Sequence, residues 1–143
     1  MKYKMRILHY SKSGNAGILA QAITEDQKAK CDKIPPAYPC ENEKLVIIGV
    51  DADKKSPEKP LADFCATLTP ARAKNVAFFA IGGSCNEMVE ELKKIVKATG
   101  TNVLEEAFTV QAKSSLFKKA KLGDEDLKAG VAWASKIVDS LLA

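Results

Sequence analysis

The 143-residue sequence has little of what most site chemistries require. It carries one histidine, His9, and four scattered cysteines, Cys31, Cys40, Cys65 and Cys85, with no C-x-x-C pair. A structural zinc site wants paired ligands a few residues apart, so no metal ligand is expected. Aromatic residues make up only 6% and do not interleave with the basic clusters at Lys54–Lys55, Lys93–Lys94 and Lys118–Lys121. Nucleic-acid binding usually pairs a concentrated basic face with stacking aromatics, so no nucleic acid is an expected partner. Apolar runs such as Val76–Ile81 fall far short of the roughly 20 residues that cross a bilayer. Met5–Tyr10 ends in polar residues too early to serve as a secretory signal. No membrane partner is expected, and the expected location is the cytoplasm, where the cysteines stay reduced. Neither G-x-x-x-x-G-K-[ST] nor G-x-G-x-x-G is present.

What is there is the composition of a soluble globular domain, 46% hydrophobic and 28% charged, read as one domain over residues 1–143. The net charge of +4 is spread over both signs, which suits a solvated surface that steers an anionic ligand or an acidic partner. Short apolar runs alternate with helical patterns. Met5–Tyr10, Lys30–Ile34, Leu45–Val50, Val76–Ile81 and Val103–Val110 read as strands. Gly14–Asp26 reads as a helix, with Ile18, Leu19, Ala22 and Ile23 on one side. A second helix is expected from a Ser56 cap and Pro57 to near Leu68. A third starts at the capping box Ser84-Cys85-Asn86-Glu87 and ends at Gly100. Asp124–Leu142 is the last, with Trp133 in its apolar stripe.

Strands that are hydrophobic throughout and alternate with helices predict a parallel sheet covered on both faces. The expected fold class is α/β, a three-layer doubly wound sandwich with a five-stranded parallel sheet in the order 2-1-3-4-5. Ligands of such sheets bind at the carboxyl ends of the strands, beside the switch point between strands 1 and 3. The loops to watch are therefore Ser11–Ala16, Asp51–Lys55, Gly82–Cys85 and Ala112–Ser115.

The first of these carries the strongest chemical signal. Ser11-Lys12-Ser13-Gly14-Asn15-Ala16 offers two hydroxyls, a side-chain amide, backbone N–H groups and a helix N-terminus, and contains no acidic residue. That donor set suits a phosphate. A plain Ser/Asn-rich turn that caps a helix is the competing reading.

The segment Ile7-Leu8-His9-Tyr10-Ser11-Lys12-Ser13-Gly14-Asn15-Ala16, with Ala20 and Ile23 downstream, resembles the flavodoxin-like family of FMN-binding proteins. The order of elements fits that family across essentially the whole chain. The resemblance implies FMN as cofactor, with Ser11, Lys12, Ser13, Gly14, Asn15 and Ala16 around its 5′-phosphate. It places the isoalloxazine between the loop holding Asp51 and Ala52 and the loop Gly82-Gly83-Ser84-Cys85. Ala16 stands where the family has a threonine, and His9 where it has an aromatic residue. The third-strand loop, Asp51-Ala52-Asp53-Lys54-Lys55, has neither the family's aromatic nor a glycine. Asp51 and Asp53 read as solvated turn residues, and His9 as a hydrogen-bonded core residue.

Two other occupants of this fold fit less well. A receiver domain would need an acidic pair where His9-Tyr10-Ser11 stands, although Asp51 and Lys113 could fill two of its positions. No arginine follows Cys85 at the spacing of a cysteine phosphatase loop. Cys85 itself sits in the first turn of a helix, which favours a thiolate, but a bare helix start is the more ordinary reading. No catalytic side chain is singled out. The expected function is electron transfer or simple flavin-dependent reduction with a redox partner protein. The alternative is a non-redox module that has lost the flavin ring site and binds another phosphorylated small molecule or a protein partner.

Overall fold

The computed structural model describes residues 2–111 and 122–142. Its elements are β1 (Met5–Tyr10), α1 (Asn15–Gln27), β2 (Lys30–Lys33), β3 (Leu45–Asp51), α2 (Lys59–Cys65), β4 (Asn75–Ile81), α3 (Cys85–Lys97), β5 (Asn102–Val103), β6 (Phe108–Val110) and α4 (Asp124–Ser140). Every strand pairing is parallel, in the order β2-β1-β3-β4, with β5 and β6 both on the outer edge of β4. The sheet is the doubly wound one expected, with its fifth strand in two pieces.

The alternation of side chains along β3 and β4 builds two cores. Val46, Ile48, Val50, Phe78 and Ala80 pack under α2 and α3, while Leu45, Ile47, Ala77, Phe79 and Ile81 pack with α1 and α4. Two close approaches fix the second layer. A Cβ on Gly49 would lie 1.9 Å from the Phe79 ring, and one on Gly130 would lie 2.6 Å from Leu19. Phe79 meets Trp133 edge to face at 6.2 Å, so the last helix is anchored by the tryptophan expected in the core.

The break in the fifth strand has a specific cause. Val76 pairs with Val103 and Phe79 with Phe108, so three steps along β4 face five along the edge. The surplus residues turn their carbonyls away from the sheet. Glu105 O accepts from buried Lys93 Nζ of α3 at 2.8 Å, and Glu106 O accepts from Trp133 Nε1 of α4 at 3.1 Å. Backbone acceptors claimed by side chains on both faces are unavailable to the ladder.

Helix starts differ from the sequence expectation. The second helix begins after Glu58, with proline in its first turn, so Ser56 and Pro57 precede it. Ser84 does occupy the N-cap of α3, but no side chain caps that helix, so the capping box does not form. Ser84 N–H is instead drawn to Ala52 O at 2.8 Å, joining the loops after β3 and β4.

Candidate anion-binding loop at the carboxyl end of the sheet

β1 and β3 are neighbours in register, with Tyr10 opposite Val50. Their carboxyl ends are therefore level, and the chain leaving β1 at Ser11 runs beside Asp51. Gly14, at φ 96°, makes the left-handed turn into α1, a conformation glycine adopts without the strain other residues meet. The turn points successive N–H groups at one spot beside the helix N-terminus, an arrangement that attracts anions.

That spot holds the carboxylate of Asp51. Its Oδ2 accepts from Ser11 Oγ at 2.8 Å, Lys12 N at 2.7 Å, Ser13 N at 2.6 Å and Ser13 Oγ at 2.7 Å, with Gly14 N farther off at 3.3 Å. Its Oδ1 accepts from Ala16 N at 2.9 Å. The loop itself contains no acidic residue, as its sequence requires, but the neighbouring strand supplies one. Asp51 is thus not the solvated turn residue expected. β3 runs one residue further than predicted, and strand alternation puts Asp51 on the same face as Leu45 and Ile47, which is the face α1 covers. Asp53 is exposed.

Burial raises the Asp51 pKa, but the hydrogen bonds from Ser13, Ala16 and Ser11 outweigh it and leave the group below its ordinary value. A carboxylate held by this many donors is ionised at neutral pH. His9 lies on the same face. It is half-buried and held below its ordinary pKa by burial and by Lys33, and its Nδ1 finds no hydrogen-bond partner among the described residues. It therefore differs from the hydrogen-bonded core residue expected.

The other predicted site residues are placed less uniformly. Asn15 is buried, and its Oδ1 accepts from Leu122 N at 3.0 Å. The Ala16 side chain is buried, so the loop meets its anion there through the backbone alone. The Lys12 ammonium points outward and pairs with Glu58, a hydrogen bond that raises the lysine pKa and lowers that of Glu58. Ala52 is fully buried, and its N–H donates to Ile81 O at 2.8 Å. Gly82, at φ +149°, has room for no Cβ, which would lie 2.5 Å from Ala52 O. Gly83 is exposed and accepts from Gln111 Nε2 at 2.9 Å. The Cys85 thiol is buried and donates to Gln111 Oε1 at 3.2 Å, so it lacks the exposure a reactive thiol needs. Ala112–Ser115 lies outside the described residues.

Beside the filled loop a cleft of about 140 Å³ opens over Leu61 and Met88, rimmed by Tyr10, Lys12, Asp53, Lys54, Ser56 and Glu58. Tyr10 and Glu58 did not stand out in the sequence; they meet across this cleft, with Tyr10 Oη 3.4 Å from Glu58 Oε2. The volume is below the roughly 300–1,000 Å³ common for organic cofactors and drug-sized ligands. The phosphate expected from the resemblance does not fit the loop as folded. Its donors are already engaged, and a phosphate would meet an ionised carboxylate at hydrogen-bond distance.

No family model matches the sequence, and no curated protein does. Solved structures match over three quarters of the chain or more. An oxidised flavodoxin 2 from Bacillus cereus shares 18% identity at a TM-score of 0.72, covering 96% of this chain and 99% of its own. A flavodoxin from the domain Archaea shares 16% at 0.72, covering 98% and 99%. A flavoprotein from Lactobacillus acidophilus, solved in complex with FMN, shares 17% at 0.60, covering 76% and 93%. The chain has the flavodoxin-like fold. No helix among the described residues is long and apolar enough to cross a membrane.

Proposed function

We propose that this chain, a flavodoxin-like fold by its architecture, is a binding and interaction module that works without a resident flavin. One observation carries the reading: the loop that would anchor a flavin phosphate is filled by the carboxylate of Asp51. Two others support it. The loops after β3 and β4 offer no aromatic side chain for a flavin ring, and the adjoining cleft is small. A protein partner suits such a module better than a phosphorylated small molecule, because the donors that would recognise phosphate are engaged. The cleft over Leu61 and Met88, with its mixed-charge rim, is of a size to take one partner side chain.

A second reading is favoured by the donor set itself. Two hydroxyls and several backbone N–H groups still converge on one point, and one structure of the same fold is a complex with FMN. In that reading Asp51 swings out, Ser11 to Ala16 hold the phosphate, and the flavin supplies electron transfer or reduction. The test is a visible absorption spectrum of freshly purified protein, followed by an FMN titration. The module reading predicts a colourless protein and no saturable binding. A yellow protein, or tight binding of FMN, overturns it in favour of the flavin carrier.

A further inference from the structure

The donors of the loop at the start of α1 are collected as if for an oxyanion, yet the oxyanion comes from the chain itself. We infer that Asp51 is a built-in counter-ligand, a tethered carboxylate that replaces bound phosphate and lets the loop fold and stay folded without any cofactor. The inference rests on the module reading above and adds what holds the loop together.

The geometry distinguishes this from an ordinary turn contact. Both carboxylate oxygens are used, Oδ2 by the hydroxyls and N–H groups of residues 11–14 and Oδ1 by the N–H of Ala16. The contact therefore spans the whole bend from the end of β1 into the first turn of α1. The segment that delivers Asp51 is fixed from behind. Ala52 N–H donates to Ile81 O at 2.8 Å, Ala52 O accepts from Ser84 N at 2.8 Å, and Gly82 packs so closely that a Cβ there would lie 2.5 Å from Ala52 O. A tethered group pays no entropy of association when it fills the loop, whereas a free phosphate does. The tethered carboxylate therefore competes at a high effective concentration against any dissolved phosphate.

Two consequences separate this role from a merely structural one. Wild-type stability should show no saturable response to phosphate, and removing the carboxylate should create one. The experiment follows thermal unfolding of wild type and Asp51→Ser in buffers with and without inorganic phosphate, at matched ionic strength. Wild type should show only the general, non-saturating rise that phosphate salts give any folded protein. Asp51→Ser should unfold about 5–10 °C lower without phosphate and recover part of that loss as phosphate rises, as ligand linkage requires. General stabilisation by phosphate salts acts on both proteins and cancels in the difference.

If wild type gains as much from phosphate as the variant, or if the variant gains nothing beyond wild type, the inference is overturned. Should Asp51→Ser fail to fold, wild type alone decides. Its backbone amide resonances of Lys12, Ser13 and Ala16 should stay in place as phosphate is added, and a saturable shift of all three would sink the idea. FMN binding to wild type defeats the module reading. A colourless wild type combined with a phosphate-blind Asp51→Ser defeats only the counter-ligand.

Discussion

Two carboxylates flank β3, and they are treated in opposite ways. At its carboxyl end, half-buried Asp51 collects hydroxyl and N–H donors and is held below its ordinary pKa. Just before its start, Glu43 is 3% exposed, with Lys4 Nζ 4.0 Å from Oε1 and no hydrogen-bond partner for Oε2 among the described residues. Its pKa is raised by burial, against the pull of Lys4, Arg6 and Lys30. Cations nearby do less for a buried carboxylate than donors in contact. An oxyanion is stabilised by groups that replace its hydration shell, and a positive charge at 4 Å does that poorly.

The largest effect that would break this contrast is removal of the donors' target. Asp51→Asn keeps the shape but turns an NH₂ group toward N–H and O–H donors. It should cost about 2–3 kcal/mol in urea unfolding at neutral pH, because several donors lose a charged acceptor at once. A loss below about 0.5 kcal/mol would mean that solvent serves the loop equally well.

Acid titration sharpens the contrast because the two groups have opposite signs. Asp51 is depressed, so its stabilisation is present above the unfolded carboxyl value near 3.8 and is lost as pH falls through the lower folded value. Glu43 is raised, so the folded state carries a penalty at neutral pH, relieved as pH falls through its folded value toward the unfolded value near 4.5. Stability relative to Asp51→Asn should therefore fall only below about pH 4. Stability relative to Glu43→Gln should rise on acidification from neutrality toward about pH 4.5. His9 is depressed by burial and by Lys33, so it adds a decline as pH falls below 6.5. That decline is common to wild type and Glu43→Gln and drops out of their difference, whereas Asp51 pulls the His9 pKa up, so Asp51→Asn deepens the decline. Matching slopes for the two variants would show that the carboxylates are not distinguished.

Much of this was legible in the sequence. The parallel sheet, its order and the loop at Ser11 to Ala16 follow from apolar runs and from residue types with known local preferences. Asp51 did not follow, because what matters is the register of Tyr10 against Val50, a long-range pairing that periodicity does not contain. The signal was half present: alternation from Leu45 and Ile47 already assigns Asp51 to the face of α1. The split of the fifth strand was hidden for the same reason, since Lys93 and Trp133 reach Glu105 and Glu106 from two different helices. The capping box at Ser84 failed because a tertiary acceptor, Ala52 O, set the backbone there.

A smaller effect is expected at the other end of β3. Glu43→Gln imitates the uncharged form that burial favours. At neutral pH it should leave urea unfolding within about 0.5 kcal/mol of wild type, on the stabilising side. A substantial loss would mean that Glu43 is needed to hold Lys4, Arg6 and Lys30 together, and the contrast between the two ends of the strand would weaken.

The smallest effect belongs to the one charged side chain within the loop's own sequence. Lys12 gives Asp51 its backbone N–H at 2.7 Å, while its ammonium points outward to Glu58. If donors in contact are what hold the carboxylate, Lys12→Ala keeps the bond that matters and removes only an exposed, salt-screened pair. The unfolding midpoint and the acid limb assigned to Asp51 should then coincide with those of wild type at physiological ionic strength. An acid limb displaced to higher pH in Lys12→Ala would show that the ammonium contributes to the charge balance of the loop. Raising the salt concentration would then separate the two causes, since a through-space attraction fades with screening and a backbone hydrogen bond does not.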